Sequence, residues 1–324
     1  MNEMNLNKLE NIWKTFSEDI VTSEFEYKLI STNTVPLLNI GRTENGNRCI
    51  VLEIPKNTNL DFPESFKEHI ELRFFKIENC LCIILKDNLY KDLFNDLTLS
   101  IFYKIYNIKD PNEYCKQFVQ YFYKWVSFFE KNQSQLLTKE IIQGIFGELL
   151  FLEYLMNNIN DLPIDEILYA WKGLGGTSHD FIFEKTDYEV KTIQSHINQI
   201  KISSEYQLEC TPGKKLELIV IEVIDDLEEG KSISKLVEEI RDLSIEKFAD
   251  NYIIINSLLK QGLTIDNIKN YDLWKFAKIK ICFFDCMSLE FPKLIKSNIP
   301  IEISNIKYGI RFSLIKDFLI KEIK

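Results

Sequence analysis

The chain has 324 residues, 45 % hydrophobic and 27 % charged, a balance that supports the cores of more than one domain and excludes disordered and membrane classes. Its formal net charge is −10, so bulk electrostatics does not attract nucleic acid; such contact needs a local basic groove or metal ions bridging phosphates. No apolar run reaches the ~18 residues of a membrane helix, and the opening MNEMNLNKLENIW is too polar for a signal peptide, so a cytoplasmic protein with no membrane partner is expected.

In chain order, residues 5–17 read as a short helix. Strand-like runs follow at 25–30, 37–41, 48–54, 70–77 and 80–86, with ENGN at 44–47 as the hairpin turn between the second and third. A long helical pattern covers 112–132, giving a β-rich N-terminal domain over 1–136 with a closing helix. Thr138 then caps a second long helix, TKEIIQGIFGELLFLEYLMNN. Next come ILYAW (167–171), the loop KGLGGTS, two strands in HDFIFEKTDYEVKT (179–192), INQIKIS (197–203), a brief helix SEYQLE and a buried strand at 216–225. Written out, the core over 137–230 has the order α-β-β-β-α-β. Helices near 232–249, 253–261 and 265–276, the strand IKICFFD (279–285) and a tail of short strand and helix make 231–324 an α/β extension packing on that core. The seven cysteines are scattered without CxxC pairs, as expected of reduced thiols, and with only three histidines zinc is not expected.

The stretch 179–192 interleaves Asp180, Glu189 and Lys191 with Phe181, Phe183, Tyr188 and Val190. In Glu-x-Lys the strand period of two puts Glu189 and Lys191 on one face. A two- or four-residue turn within 184–187 that sets 183 against 188 pairs Asp180 with Lys191 and brings all three charges to that face, with the aromatics on the other. Two carboxylates beside an amine are what a metal-dependent phosphodiesterase needs: oxygen ligands for a hard dication and a cation near the attacking water. The same charges on the wet face of a hairpin would be a surface salt bridge, and Glu-x-Lys or Asp-x-Lys recurs elsewhere in the chain.

Glu148 shifts the balance. On a helical wheel Ile141, Gly144, Ile145, Phe151, Leu152 and Leu155 all lie within about 60° of it. A carboxylate at the centre of an apolar stripe needs a cation, a metal or a hydrogen-bond network, and Gly144 and Gly147 let a neighbouring backbone approach. Gln207 lies one turn into the brief helix, where it could touch a phosphate or the lysine; Ser204 and Gln207 equally form a capping box. The glycines of KGLGGTSH lack a nucleotide-binding spacing, and Gly230-Lys231-Ser232 lacks the earlier glycine of a P-loop.

GELLFLEYL (147–155), Trp171-Lys-Gly, HDF (179–181), EVKT (189–192) and Gln207-Leu together resemble the PD-(D/E)XK, or restriction-endonuclease-like, nuclease superfamily, and more narrowly a bacterial group of PD-(D/E)XK proteins encoded beside defence genes. The resemblance covers about 138–225. It implies an α/β (α+β) core with a mixed central sheet, and Mg²⁺, with Mn²⁺ able to substitute, held by Asp180, Glu189 and the Val190 carbonyl, with Glu148 reaching in directly or through water. Lys191 would orient or activate the hydrolytic water, giving the catalytic set Glu148, Asp180, Glu189, Lys191 and Gln207. It implies DNA as substrate, and a homodimer or a subunit of a defence system. The usual Pro before the Asp is His179 here, and the Gln-x-x-x-Tyr of one branch is absent because position 211 is Thr. The alternative is a catalytically inactive member of the superfamily serving as a binding or assembly subunit; Lys172 and Lys201 rimming the acidic site would favour the enzyme.

Overall fold

The computed structural model describes residues 4–16, 25–32, 34–56, 58, 64–129, 137–173, 178–265 and 267–324. Contacts divide the chain into two units, Met1–Ser134 with Ser244–Tyr252, and Gln135–Leu243 with Ile253–Lys324.

In the first unit Asn5 accepts a hydrogen bond from the Lys8 N–H and starts α1 (Leu6–Trp13), which buries Leu9 and Trp13. Strands β1 (Phe25–Leu29), β2 (Leu38–Thr43), β3 (Arg48–Glu53), β4 (Ser65–Phe66), β5 (Ile70–Phe75) and β6 (Cys80–Leu85) form an antiparallel sheet in the order β1-β2-β3-β6-β5-β4. The expected β2–β3 hairpin is present, and its turn needs Gly46 because φ there is 77°. All seven cysteines of the chain are free thiols, and all but Cys210 are buried. Two helices follow, α2 (Lys91–Ile105) and α3 (Pro111–Trp125). The sequence reading did not anticipate α2. It is buried almost all round, including Asn95, Asp96 and Thr98, so no amphipathic stripe marks it. For α3, Asp110 accepts from the Asn112 N–H and Pro111 opens the first turn. Regular helix ends at Trp125 rather than the expected 132, and 130–136 lie outside the described residues.

The second unit opens with α4 (Lys139–Asn158), capped by the expected Thr138. Its other elements are α5 (Ile164–Ala170), β7 (Phe181–Ile182), β8 (Thr186–Gln194), β9 (Ile200–Ile202), β10 (Lys215–Asp225), β11 (Lys231–Ser232), α6 (Ile233–Glu246), α7 (Asn251–Lys260), β12 (Lys275–Asp285), β13 (Tyr308–Ile310) and β14 (Leu319–Ile323). The central sheet runs β11-β12-β10-β8-β7, with β14 also on β12; β10 and β8 are parallel and the other pairs antiparallel. The fold is therefore mixed α+β with a mixed sheet, as expected. Residues 231–324 do more than pack on this core, because β11, β12 and β14 are strands of its sheet.

ILYAW is the end of α5, with acidic residues Asp165 and Glu166 in the helix's first turn and Trp171 bridging to Phe181. Three element assignments change. SEYQLE forms a turn instead of a helix. The strand expected at 197–203 shortens to β9 and leaves the central sheet to pair with β13, about a hundred residues on. Among the described residues of 265–276, Ile268–Tyr271 alone is helical, as a 3-10 turn.

The two faces of the sheet differ. Phe151 of α4 packs edge-on against Phe181 and Tyr188, with ring centroids 5.1 and 5.3 Å apart. On the other face Leu218 and Val220, the β10 partners of Glu189 and Lys191, join Ile200, Ile202, Ile310 and Phe284 in a buried cluster. The carboxylates thus meet an apolar layer.

Candidate functional site

The β7–β8 hairpin sets the frame. Phe181 pairs with Tyr188 and Ile182 with Asp187, and the Phe183 N–H donates to the Thr186 carbonyl at 3.1 Å. The turn is the two residues Glu184 and Lys185. Extended one step, this register puts Asp180 across from Glu189, two residues from the expected partner Lys191. A shift of two preserves the face, so Asp180, Glu189 and Lys191 still share one side and Phe181, Phe183, Tyr188 and Val190 the other.

Of the aligned charges Glu189 is buried, and Asp180 and Lys191 are half-buried. Glu189 is 1 % exposed, and its Oε1 lies 2.5 Å from Lys191 Nζ. Asp180 Oδ2 accepts from the Val190 N–H at 2.8 Å. This bond fixes the carboxylate against the strand segment whose carbonyl was expected to bind metal. Glu148 belongs to the helix layer, 7 % exposed, and its Oε2 accepts from Trp171 Nε1 at 2.8 Å. Trp171 and Phe181 form an antiparallel bridge, so the indole is anchored to the same hairpin.

Crowding shows in the protonation equilibria. Burial, then the Asp180 charge, pushes the Glu189 carboxyl up to about 8, with Lys191 opposing. Burial and the charges of Asp180 and Glu189 push Glu148 well above the carboxylate range, against the Trp171 hydrogen bond and Lys191. Asp180 is raised by burial, with Lys191 and the Val190 N–H pulling the other way. Burial disfavours the charge on Lys191, but Glu189 and Asp180 outweigh it and hold its pKa above the ordinary value. Three carboxylates share one ammonium, so the cluster is short of positive charge.

Among the described residues no three His, Cys, Asp or Glu side chains are drawn up as a metal cage. Mg²⁺ does not require one, since it is held by one or two carboxylates and keeps waters and substrate phosphates. Asp180 Oδ1, Glu189 Oε2 and Glu148 Oε1 accept no hydrogen bond from the described residues. These hard oxygens, in a cluster lacking cations, fit a small divalent ion.

Gln207 Oε1 accepts from the Ser203 N–H at 2.8 Å, so its side chain closes its own turn and makes no hydrogen bond to Asp180, Glu189 or Lys191. The Lys172 N–H donates to the Asp180 carbonyl at 2.8 Å, while its ammonium lies 2.6 Å from the Tyr169 carbonyl. Lys201 is exposed on β9. Of the loop KGLGGTSH, residues 174–177 lie outside the described residues. Sequence reasoning left Trp171 without a role and missed a group around the buried Asp187: buried His179, half-buried Lys214 and exposed Thr211. Lys214 Nζ lies 3.1 Å from Asp187 Oδ1, Thr211 Oγ1 donates to Asp187 Oδ2 at 2.7 Å, and His179 Nδ1 is 3.6 Å from that oxygen. The period of two from Asp187 to Glu189 and Lys191 was the available signal.

A mixed sheet whose hairpin presents Asp180 opposite Glu189, with Lys191 two residues on, defines a nuclease-like protein of the PD-(D/E)XK class. The family described as "Putative PD-(D/E)XK family member, (DUF4420)" matches residues 9–313, and the chain belongs to it. No curated protein and no solved structure matches the chain.

Proposed function

We propose that this chain is a metal-dependent endonuclease that hydrolyses DNA phosphodiester bonds, cytoplasmic and acting in bacterial defence as a homodimer or with other subunits. The observation that carries the reading is the pairing of half-buried Asp180 with buried Glu189 across the hairpin, with Lys191 on Glu189 and the carboxyls of Glu148, Asp180 and Glu189 held above their ordinary pKa values.

Asp180, Glu189 and the Val190 carbonyl would hold Mg²⁺ or Mn²⁺, with Glu148 acting through water. When bound, the ion supplies Lewis-acid stabilisation of the charge on the phosphate and its leaving oxygen. The Val190 N–H keeps Asp180 oriented, and Trp171 does the same for Glu148. Lys191 Nζ orients the attacking water and offsets developing negative charge, in a site walled by apolar side chains where such an interaction is strong. Gln207 takes no part in this arrangement.

Purified protein with Mg²⁺ or Mn²⁺ should nick or linearise plasmid DNA, and EDTA should stop it. Asp180→Ala, Glu189→Ala and Lys191→Ala should each abolish cleavage with the fold intact. Full activity in all three would defeat the assignment. A second reading, an inactive assembly subunit, draws on the net charge of −10 and on Lys191 being committed to Glu189. It predicts no cleavage by wild type under any metal.

A further inference from the structure

Asp187 begins the same period-of-two series on β8 that continues with Glu189 and Lys191, and it is 1 % exposed. A buried carboxylate must be paired, and this one is held by an ammonium and a hydroxyl, with an imidazole beside it. Lys214 Nζ lies 3.1 Å from its Oδ1 and also donates to the Phe183 carbonyl at 2.6 Å, so one ammonium ties Asp187 to the hairpin's last inner residue. Thr211 Oγ1 donates to Asp187 Oδ2 at 2.7 Å. His179, 2 % exposed and immediately before Asp180, sets Nδ1 3.6 Å from that same oxygen, with Ser178 Oγ 3.1 Å from the ring nitrogen.

These partners come from both sides of the hairpin and from the segment leading into β10. Asp187 is two residues from Glu189, and His179 is one from Asp180. The cluster therefore grips the chain on either side of the expected metal-holding pair. Neither β7, only two residues long, nor the two-residue turn gives Asp180 much support of its own. Replacing a buried ion pair by packed apolar groups commonly costs a fold nothing. What apolar packing lacks is directional restraint, which oxygen ligands need to stay at one spacing.

We propose that Asp187, held by Lys214 and Thr211 and packed beside His179, is a positioning residue that sets the spacing of Asp180 and Glu189 for a divalent cation. This rests on the metal-site reading above. It assigns the four residues no contact with substrate.

The test is calorimetric titration of the full chain with Mn²⁺, which needs no cleavage, alongside far-UV circular dichroism. The variants are Asp187→Asn, Thr211→Val, Thr211→Ser and Asp180→Asn. Asp187→Asn and Thr211→Val should weaken Mn²⁺ binding by about 10-fold or more with an unchanged spectrum. Thr211→Ser, which restores the hydroxyl, should bind close to wild type. Should Asp187→Asn not fold, the Val and Ser pair at Thr211 decides alone. Wild-type affinity in Thr211→Val and in folded Asp187→Asn, with binding lost in Asp180→Asn, overturns the positioning role and leaves the metal site standing. No Mn²⁺ binding by wild type, or none lost in Asp180→Asn, overturns the metal-site reading and the positioning role with it.

Discussion

The indole N–H of Trp171 donates a 2.8 Å hydrogen bond to Glu148 Oε2, and both residues are buried. The bond joins the helix layer to the hairpin, because Trp171 also bridges Phe181. Together with Lys191, it opposes the upward push of burial and of Asp180 on the Glu148 carboxyl. Trp171→Phe keeps the ring and removes the donor. It should lower stability by about 1–3 kcal/mol, the cost of a buried acceptor left unmatched, read as a lower urea midpoint at unchanged slope. Glu148→Gln keeps an acceptor and drops the charge, so its midpoint should stay at or above wild type.

Asp180 separates function from stability. In metal-free protein its charge raises the carboxyls of both Glu148 and Glu189. Asp180→Asn relieves that repulsion and keeps an oxygen for the Val190 N–H. The melting temperature in EDTA at pH 8 should rise, corresponding to on the order of 1 kcal/mol. Metal-dependent cleavage should fall about 100-fold or more, the scale for losing a charge-stabilising group. A lower melting temperature would show that Asp180 is paired in a way that excludes a role as a spare ligand.

Glu189 carries a pH signature. Its carboxyl stands at about 8 in the folded chain, chiefly through burial, against about 4.3 for an unfolded Glu. Between those values the folded chain keeps a proton that the unfolded chain has released. The contribution of Glu189 to metal-free stability is therefore fully present below about pH 4.3 and is lost as pH rises through the folded value. Glu189→Gln cannot titrate. The melting temperature of wild type minus that of Glu189→Gln, measured in EDTA, should fall steadily from pH 5 to about pH 8. A flat difference would mean that Glu189 is ionised throughout.

What was legible in the sequence followed periods and turns. The five strand runs before Lys86, the ENGN hairpin and the Thr138 cap rest on local chemistry and reappear in the fold. The face shared by Asp180, Glu189 and Lys191 was readable although the pairing was two residues out, because face depends only on parity. Burial of Glu148 was readable from its apolar flanks, yet Ile141, counted among them, is 38 % exposed. Other features left no local trace. α2 buries polar and apolar residues alike, which removes the stripe, and ILYAW has strand-like composition but completes a helix started three residues earlier. The partner of β9 lies at 308–310, and Asp187 meets residues 24 and 27 positions away. Pairings that distant depend on the assembled sheet.

The glycines of α4 give a last pair of opposite expectations. A Cβ on Gly147 would lie 1.7 Å from Thr192 Oγ1 and 2.9 Å from Thr192 Cβ, so the residue before Glu148 must be bare for the helix to reach β8. A Cβ on Gly144 would meet nothing within 4 Å. Helix propensity favours Ala at both positions by about 1 kcal/mol. At Gly144 nothing opposes it, and Gly144→Ala should stabilise by about 0.5–1 kcal/mol. At Gly147 the overlap with a β-branched side chain on a central strand costs about 1–3 kcal/mol or more and outweighs propensity. Gly147→Ala should therefore destabilise and, by moving Glu148 relative to the hairpin, impair metal-dependent cleavage. Adding Thr192→Gly removes both clashing atoms and should recover cleavage more fully than stability, since a strand glycine carries its own cost. Chemical unfolding of the three variants beside a plasmid assay measures both effects. Equal midpoints for Gly144→Ala and Gly147→Ala would show that α4 and β8 are not in this close contact.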